Sequence, residues 1–357
     1  MSNVKSRKNV LVTGGCGFIG SNFIRHVLDS YPHWHIVNMD KLTYAGNPAN
    51  LADVAASDAY TFVRADICDA VAVDALFTRY QIDTVVHFAA ESHVDRSISG
   101  PAEFIRTNIN GTFALLEAAR KHWGADDLRG KRFLHVSTDE VYGSLGETGQ
   151  FTEQTPYDPH SPYSASKAAS DHLVNAYFHT YGLPTLITNC SNNYGPYQFP
   201  EKLIPLAINH ALTGIEIPVY GDGKNVRDWL YVEDHCRAIT TVLENGSVGE
   251  TYNIGGNSEK QNIEVVTTIC NMVDAMAAPL TSGQKRTSLI RYVADRAGHD
   301  WRYAIDATKI ATALGWSPRM DFAQGIEKTV TWCLENSAWV ESILDGSYQD
   351  EISREKC

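Results

Sequence analysis

The sequence predicts an α/β fold, with a doubly wound parallel β-sheet followed by a smaller C-terminal lobe. Over the first ~190 residues, short runs rich in β-branched residues alternate with longer amphipathic segments of helical period. This alternation is typical of consecutive βαβ units. Beyond Asn189 the elements become shorter and are interrupted by turns such as Gly195-Pro196, which indicates a second, loop-rich lobe.

Six strands are predicted in the first half of the chain, each from an apolar run that polar or turn residues bound. They span residues 9–13, 35–40, 60–64, 83–87, 132–137 and 185–189. Amphipathic stretches predict helices near residues 17–30, 69–80, 101–122 and 163–181. Because helices join parallel strands by crossing over the sheet, we expect right-handed connections.

Composition excludes several classes of function. Of 357 residues 43% are hydrophobic, and 30 basic against 42 acidic side chains give a net charge of −12. Nucleic acids and anionic membranes both require a basic face, so neither is expected as a partner. No stretch approaches the ~20 apolar residues of a membrane span. Seven cysteines without a C-x-x-C pair indicate reduced thiols and a cytoplasmic protein, and the histidine spacing predicts no metal site.

A glycine-rich turn, Gly14-Gly-Cys-Gly-Phe-Ile-Gly20, follows the first predicted strand. Gly14 permits a tight turn, Gly17 lets the backbone approach a pyrophosphate, and Gly20 permits close packing of helix on strand. The second strand ends at Asp40, whose carboxylate can accept the hydroxyls of an adenosine ribose and would repel a 2′-phosphate. This combination predicts a Rossmann-type domain that binds NAD rather than NADP.

Two further groups of polar residues predict catalysis. Tyr163 and Lys167 lie four residues apart in a predicted helix, so they share a face. An ammonium beside a phenol lowers the phenol pKa, which would let the tyrosine act as a base near neutral pH. Thr138, Asp139 and Glu140 end the fifth strand, at the edge where open α/β sheets place their active sites. We expect both groups to face one cleft.

The glycine turn and the runs at residues 137–143 and 163–167 resemble the extended short-chain dehydrogenase/reductase superfamily. More narrowly, the chain resembles the dTDP-glucose 4,6-dehydratase family from about residue 9 to residue 316. The motifs that carry this likeness are residues 40–46, 89–97, 189–197, 200–205, 227–234 and 295–300. Ala297 stands where that family usually has proline, which is expected to affect the rigidity of its loop.

The resemblance implies an internal redox elimination that converts dTDP-glucose into dTDP-4-keto-6-deoxyglucose and water. Tyr163 would take the proton of the sugar 4-hydroxyl as hydride passes to NAD, with Lys167 lowering its pKa and holding the nicotinamide ribose. Thr138 would bond the 4-oxygen. Glu140 would remove the C5 proton, Asp139 would protonate the departing C6 hydroxyl, and hydride would return to C6.

The family motifs also imply binding residues and domain boundaries. The expected cofactor-binding residues are Gly14, Gly17, Phe18, Ile19, Gly20, Asp40, Lys41, Leu42, Thr43, Asp66, Ile67, Ala89, Ala90, Glu91, Ser92, Thr107, Tyr163, Lys167 and Asn193. The expected substrate-binding residues are Ser92, Thr138, Asn192, Lys202, Leu203, Pro218, Val219, Tyr220, Arg227, Asn262, Asp295 and His299. Of these, Arg227 is the expected diphosphate ligand, because arginine binds phosphate oxygens bidentately.

Residues 1–190, with a return segment near 229–256, would form the NAD-binding domain. Residues 191–228 and 257–357 would form the nucleotide-sugar lobe, and the helices near 101–122 and 163–181 would form a homodimer.

Alternatives remain open at this point. A nucleotide-sugar 4-epimerase needs the tyrosine–lysine pair but no acid and base for elimination, so Asp139 and Glu140 argue against it. A dehydratase for another nucleotide sugar would use the same residues. An NAD-sensing protein with an inactive Rossmann domain would need none of the catalytic set.

Overall fold

A computed structural model describes residues 7–124, 128–296 and 298–349. Among these residues the strands are β1 (Lys8–Thr13), β2 (Trp34–Asp40), β3 (Tyr60–Arg64), β4 (Thr84–His87), β5 (Arg132–Thr138), β6 (Thr185–Cys190), β7 (Asn192–Tyr194), β8 (Ile217–Tyr220), β9 (Val226–Tyr231), β10 (Thr251–Ile254), β11 (Glu259–Gln261) and β12 (Ile290–Val293). The helices are α1 (Phe18–Ser30), α2 (Ala70–Tyr80), α3 (Val94–Ser99), α4 (Pro101–Phe104), α5 (Thr112–Trp123), α6 (Pro162–Tyr181), α7 (Leu203–Thr213), α8 (Val232–Asn245), α9 (Asn262–Met276), α10 (Thr308–Leu314), α11 (Phe322–Glu335) and α12 (Ser337–Leu344). Short 3₁₀ turns span Pro48–Leu51, Asp139–Tyr142 and Arg286–Leu289, and a π-helical stretch spans Ile105–Gly111. The expectation about Ala297 lies outside the described residues.

The main sheet has seven strands in the order β10-β6-β5-β4-β1-β2-β3, and every neighbouring pair is parallel. The six strands predicted from the sequence are β1 to β6, with boundaries that agree to within one residue. The direction of winding reverses between β1 and β4, and a crevice is expected at the carboxyl ends of strands beside such a reversal. The predicted doubly wound α/β sheet is confirmed.

Helices cover both faces of this sheet, and its strands are therefore apolar on both sides. Val10 and Val12 of β1 belong to one apolar core, whereas Leu11 between them belongs to the other. The first core includes side chains of α1 and α8, and the second includes side chains of α2, α5 and α6. With α8 and β10 the chain returns to the main sheet after β9.

The remaining elements form a smaller lobe with its own core. Two short sheets, β11-β9-β7 and β12-β8, lie in this part of the chain. Helices α7, α9 and α11 pack beside them through apolar residues such as Ile208, Ile269 and Ile326. The smaller C-terminal lobe expected from the glycine and proline pattern is therefore present as a structural unit.

Helix α6 has clear start and stop signals. The Ser161 hydroxyl accepts the Ser164 backbone N–H, the Ser164 hydroxyl accepts the Ser161 N–H, and Pro162 occupies the first turn. Gly182 ends the helix with φ +68°.

The single helix expected near residues 101–122 is not present as one element. It is split, because the π-helical stretch separates α4 from α5.

No helix among the described residues has both the length and the apolar character that crossing a bilayer requires. In the same part of the chain, no cluster of three or more His, Cys, Asp or Glu side chains is arranged to hold a metal ion.

Candidate active site

A cavity of about 330 Å³ opens at the carboxyl ends of β1, β4, β5 and β6. All the expected catalytic residues line it, namely Thr138, Asp139, Glu140, Tyr163 and Lys167. Every expected cofactor-binding residue except Leu42 also lines it. The structure therefore brings the two groups of catalytic candidates to the same cavity as the glycine turn.

The glycine turn forms a cradle whose backbone packs too closely for side chains at Gly14 and Gly20. Gly14 has φ +71°, and a Cβ there would lie 2.7 Å from the Ala89 nitrogen. A Cβ on Gly20 would overlap the Gly14 carbonyl oxygen. The backbone is thus exposed at the start of α1, where amide N–H groups and the helix dipole favour a phosphate. The cradle fits the pyrophosphate of a dinucleotide.

Asp40 links this turn to the next loop. Its Oδ2 accepts the Cys16 N–H at 2.9 Å, and its Oδ1 accepts the Leu42 N–H at 2.8 Å. Burial raises the pKa of this carboxyl, although both hydrogen bonds favour the ionised form. Each oxygen keeps a further acceptor site, so Asp40 can still bind ribose hydroxyls.

Leu42 is the exception among the expected cofactor residues, since it lies outside the cavity wall. It has φ +58°, and its side chain packs with Ile343 and Tyr348, which follow much later in the chain. The Tyr348 hydroxyl also donates to the Tyr44 carbonyl at 2.6 Å. A C-terminal segment, residues 337–348, therefore covers the outer side of the 41–46 loop, whose inner side lines the cavity.

Asn108, on the π-helical stretch, orders another wall of the cavity. Its side-chain oxygen accepts the Glu91 N–H at 2.8 Å, and its amide donates to the Glu91 carbonyl at 3.0 Å and to the Ser166 hydroxyl at 2.8 Å. These bonds hold the segment after β4 against α6. Sequence reasoning missed this residue, because its partners are remote in the chain.

The two adjacent carboxyl groups have different surroundings. Asp139 is only 2% exposed, and burial, then Glu140 and Asp228, raise its pKa well above the usual range. Burial also raises the pKa of Glu140, but Lys202, Arg227 and Arg296 favour its ionised form. Both pKa values are thus raised, that of Asp139 further than that of Glu140, so Asp139 holds its proton more tightly than its neighbour does.

Thr138 lies between these carboxyls and the tyrosine. Its Oγ1 accepts the Glu140 N–H at 3.3 Å and donates to Asp139 Oδ1 at 3.4 Å. Burial, followed by the charge of Glu140, raises the pKa of Tyr163, and a hydrogen bond with Thr138 opposes this rise. One hydroxyl thus contacts both the acid and the phenol.

The Lys167 ammonium bonds to strand β5 in this structure. It donates to the Val136 carbonyl at 2.9 Å and lies 3.2 Å from His135 Nε2, so β5 holds it at the floor of the cavity. The pKa of Tyr163 is raised rather than lowered, since burial outweighs any nearby cation. The expected lowering of the tyrosine pKa by Lys167 is therefore not what this structure shows.

The expected substrate residues fall into two groups. Ser92, Thr138, Asn192 and Lys202 line the cavity, and the Lys202 ammonium donates to the Ser92 carbonyl at 3.2 Å. The others lie outside the cavity wall, in the later part of the chain, and they are Leu203, Pro218, Val219, Tyr220, Arg227, Asn262, Asp295 and His299.

Several of this second group meet around β8 and β9. The ring of Tyr220 lies 6.2 Å from that of His299, and Asp295 Oδ1 lies 2.6 Å from His299 Nδ1. Arg227 is buried, stacks 4.2 Å over the Tyr303 ring and donates to the Asp300 carbonyl at 2.9 Å. Val219 is buried in the core of the lobe, so its side chain is structural.

Other residues line the cavity that sequence reasoning did not assign. They are Met39, Tyr44, Ala45, Gly46, Ala65, Phe88, Val136, Ser137, Cys190, Ser191, Gln198, Phe199 and Glu201. Tyr44, Ala45 and Gly46 belong to the 40–46 motif, so this motif could have indicated them. Gln198 and Phe199 follow the 189–197 motif directly and carried no separate signal.

Comparison with known proteins identifies the family. The model of the GDP-mannose 4,6 dehydratase family matches residues 11–329. A dTDP-glucose 4,6-dehydratase of Xanthomonas campestris pv. campestris (strain B100) is 61% identical over 344 residues, which cover 96% of this chain and 97% of that protein. dTDP-glucose 4,6-dehydratase 1 of Escherichia coli (strain K12) is 57% identical over 357 residues, covering 97% and 98%.

Solved structures agree with these matches. A dTDP-glucose 4,6-dehydratase of Streptomyces venezuelae, crystallised with NAD and a second ligand, superposes with a TM-score of 0.86 at 47% identity, covering 94% of this chain and 99% of that one. A UDP-glucose 4-epimerase of Thermotoga maritima reaches a TM-score of 0.80 at only 27% identity, covering 92% and 99%. Given identity of this degree over nearly all of both sequences, the chain belongs to the dTDP-glucose 4,6-dehydratase family.

Proposed function

We propose that the chain is an NAD-dependent carbon–oxygen lyase that converts dTDP-glucose into dTDP-4-keto-6-deoxyglucose and water, for the synthesis of deoxysugars such as rhamnose. One observation supports this most strongly: Asp139 and Glu140 share a cavity with Tyr163, and the pKa of Asp139 is raised further than that of Glu140, beside which three cations favour the ionised form. A plain dehydrogenase needs the tyrosine, but it has no use for a paired acid and base.

NAD would occupy the glycine cradle, with its pyrophosphate at the start of α1 and its adenosine ribose on Asp40. The other expected cofactor residues that line the cavity would contact the rest of the molecule, with Asp66 and Ile67 at its adenine. When bound, NAD supplies a reversible hydride acceptor: the hydride taken from C4 would return to C6 after water has left, C5 would regain a proton, and no second redox substrate would be consumed.

In the first step, Tyr163 would take the proton of the sugar 4-hydroxyl, and Thr138 would hold the 4-oxygen. The hydrogen bond of Thr138 to the phenol supports this arrangement, because it favours the ionised tyrosine. Lys167 lies one helical turn from Tyr163, and its positive charge at the floor of the cavity would favour oxidation at C4.

In the second step, the C4 ketone makes the C5 hydrogen acidic, and Glu140 would remove it as a base. Asp139 would donate its proton to the C6 hydroxyl, which leaves as water. The burial that raises the pKa of Asp139 suits an acid that must stay protonated near neutral pH, and the cations near Glu140 suit a base.

The nucleotide part of the substrate would bind in the smaller lobe, formed by residues 191–228 and 257–357. Residues 1–190, with the return segment 229–256, would form the NAD-binding domain, which agrees with the place of α8 and β10 on the main sheet. Arg227 would bind the diphosphate with the nitrogen donors that carbonyl groups do not already occupy.

The direct test is incubation of purified protein with dTDP-glucose and no added reductant or oxidant. A 4-keto-6-deoxy product, identified by mass spectrometry, supports the proposal. A C4 epimer would instead support the epimerase alternative, and turnover of another nucleotide sugar in a panel of dTDP-, UDP-, CDP- and GDP-hexoses would correct the base. A requirement for stoichiometric NAD, or for NADP, would contradict the proposed hydride return.

We further propose a cytoplasmic homodimer that pairs through the helical regions near residues 101–122 and 163–181. Ile105 and Phe113 support this surface, since they are large apolar residues that are 47% and 49% exposed in the single chain. Light scattering would test the mass, and Phe113→Asp should convert a dimer into monomers.

A further inference from the structure

A buried polar cluster lies behind Lys167, between α6 and β5, and the proposed chemistry does not use most of it. Asp171 and His135 are both 0% exposed, and Lys167 is 4% exposed. Asp171 follows Lys167 by four residues on α6, so the two side chains share one face of the helix. Unlike Lys167, Asp171 does not line the cavity.

Two hydrogen bonds hold the Oδ2 oxygen of Asp171, whereas its Oδ1 accepts none from the described residues. Oδ2 accepts the Ser137 hydroxyl at 2.8 Å and the Tyr157 hydroxyl at 3.0 Å. Oδ1 lies 3.3 Å from His135 Nε2, the same nitrogen that lies 3.2 Å from the Lys167 ammonium. His135 therefore stands between the cation and the carboxylate.

A buried ammonium is costly unless a negative charge compensates it. Burial lowers the pKa of Lys167 to about 8, and Asp171 is the main group that opposes this shift. Burial raises the pKa of Asp171 to about 6, and Lys167 is the main group that opposes that shift. Burial and the charge of Lys167 keep the pKa of His135 well below its usual value, so His135 stays neutral.

The other titratable groups around the pair come from several elements. They are His87 on β4, Cys190 on β6, Tyr142 in the turn after β5, Tyr157 before α6 and His172 on α6. The ring of His87 lies 5.1 Å from that of His135, and burial keeps its pKa well below the usual value. Among the described residues, Asp171 is the carboxylate whose charge opposes the lowering of the Lys167 pKa.

We propose that Asp171 is a positioning residue for the reaction: it is the counter-ion that keeps Lys167 protonated and holds it against the Val136 carbonyl at the floor of the cavity. The inference rests on the proposed function, because it gives Asp171 its effect through Lys167. Ser137 and Tyr157 serve the same end, since their hydroxyls stabilise the carboxylate form of Asp171.

The test is the pH dependence of the first oxidation, followed as bound NADH in stopped flow. The rate should fall at high pH as Lys167 loses its proton. This fall is the basic limb of the pH–rate profile. Asp171→Asn removes the negative charge, so Lys167 should lose its proton at lower pH. The midpoint of the basic limb should therefore move to lower pH by roughly 1–3 pH units. Asp171→Glu keeps the charge and should restore most of the limb position.

Tyr157→Phe gives a graded result, because it removes one hydrogen bond to the carboxylate and leaves the charge. Its basic limb should lie between those of wild type and Asp171→Asn. Asp158→Asn is the matched control, since the Asp158 side chain is 81% exposed and should leave the limb unmoved. If Asp171→Asn does not fold, Tyr157→Phe is the test: a basic limb at lower pH than in wild type supports the proposal, and an unmoved limb overturns it.

A second measurement needs neither substrate nor cofactor. In Asp171→Asn, the free energy of unfolding should begin to rise with pH at a lower pH than in wild type, because the folded protein has already lost the Lys167 proton that the unfolded chain binds. An unmoved basic limb together with an unmoved stability profile would overturn the proposal, even if the rate were lower at every pH. If wild type did not oxidise dTDP-glucose, the proposed function would fail, while the stability profile would still test the ion pair.

Discussion

Asp139→Asn and Glu140→Gln should arrest the reaction at two different points after the first oxidation. Each substitution keeps the size of the side chain and some hydrogen bonding, but removes its proton transfer. Oxidation at C4 rests on Tyr163, so both variants should still form bound NADH. The two variants should then differ in whether the C5 proton or the C6 hydroxyl can leave the oxidised sugar.

The expected losses can be ranked from the surroundings of each carboxyl. General acid–base catalysis contributes about 10²–10⁴-fold to a rate. Asp139 is 2% exposed, and its Oδ2 has no partner among the described residues, so no neighbour can replace its proton. Its loss should be near the upper end of that range. Glu140 is less buried, so solvent can replace it in part and its loss should be nearer the lower end.

Stopped-flow absorbance and mass spectrometry in D₂O would separate the two steps. Glu140→Gln should slow deuterium exchange at C5 by about 10²-fold, because no other side chain is assigned to that proton. Asp139→Asn should slow the loss of water from C6 and leave part of the C5 exchange. Glu147→Gln, a change at an exposed acid, is the control and should behave as wild type. Rapid C5 exchange in Glu140→Gln would refute the roles assigned to the pair.

Three other measurements probe the same cavity and the lobe beside it. Tyr163→Phe should slow the first oxidation by at least about 10²-fold with nearly unchanged nucleotide-sugar affinity, and a loss below about tenfold would mean that another group is the base. Arg227→Ala should weaken dTDP binding by about 10–150-fold in calorimetry, and unchanged affinity would leave Arg227 a purely structural role. Asp139→Asn should raise the free energy of unfolding at neutral pH. Because burial raises the pKa of Asp139, the folded wild type keeps a proton that the unfolded chain releases, and stability falls as pH rises above about 4. Denaturation at pH 7 and below pH 4 would check this gain, which should vanish in acid.

The sheet and the glycine turn could be predicted because their signals are local. Apolar runs of strand length and the spacing of Gly14, Gly17 and Gly20 depend on a few neighbouring residues, and β1 to β6 agreed with them to within one residue. The split of the helix near residues 101–122 could not be predicted in this way. It involves Asn108, whose partners Glu91 and Ser166 lie in other segments.

The site shows the same division. A spacing of four residues placed Tyr163 and Lys167 on one helical face, but it did not choose among the acceptors that Lys167 could reach. The Val136 carbonyl of β5 and the charge of Asp171 made that choice, and both depend on how α6 packs on the sheet. Likewise, no motif showed that Asn192 and Lys202 would line the cavity while the expected substrate residues from Leu203 onward would lie outside its wall.

The C-terminal segment over the 41–46 loop bears on the order in which the protein is made. The glycine turn leaves the ribosome early in synthesis. Tyr348, whose hydroxyl donates to the Tyr44 carbonyl, is added 304 residues after Tyr44. A nascent chain can therefore assemble most of the parallel sheet while the loop beside Asp40 is still uncovered. Capture of the dinucleotide would thus be completed late in translation, and a ribosome that stalls before residue 337 would leave Leu42 without the apolar cover of Ile343 and Tyr348.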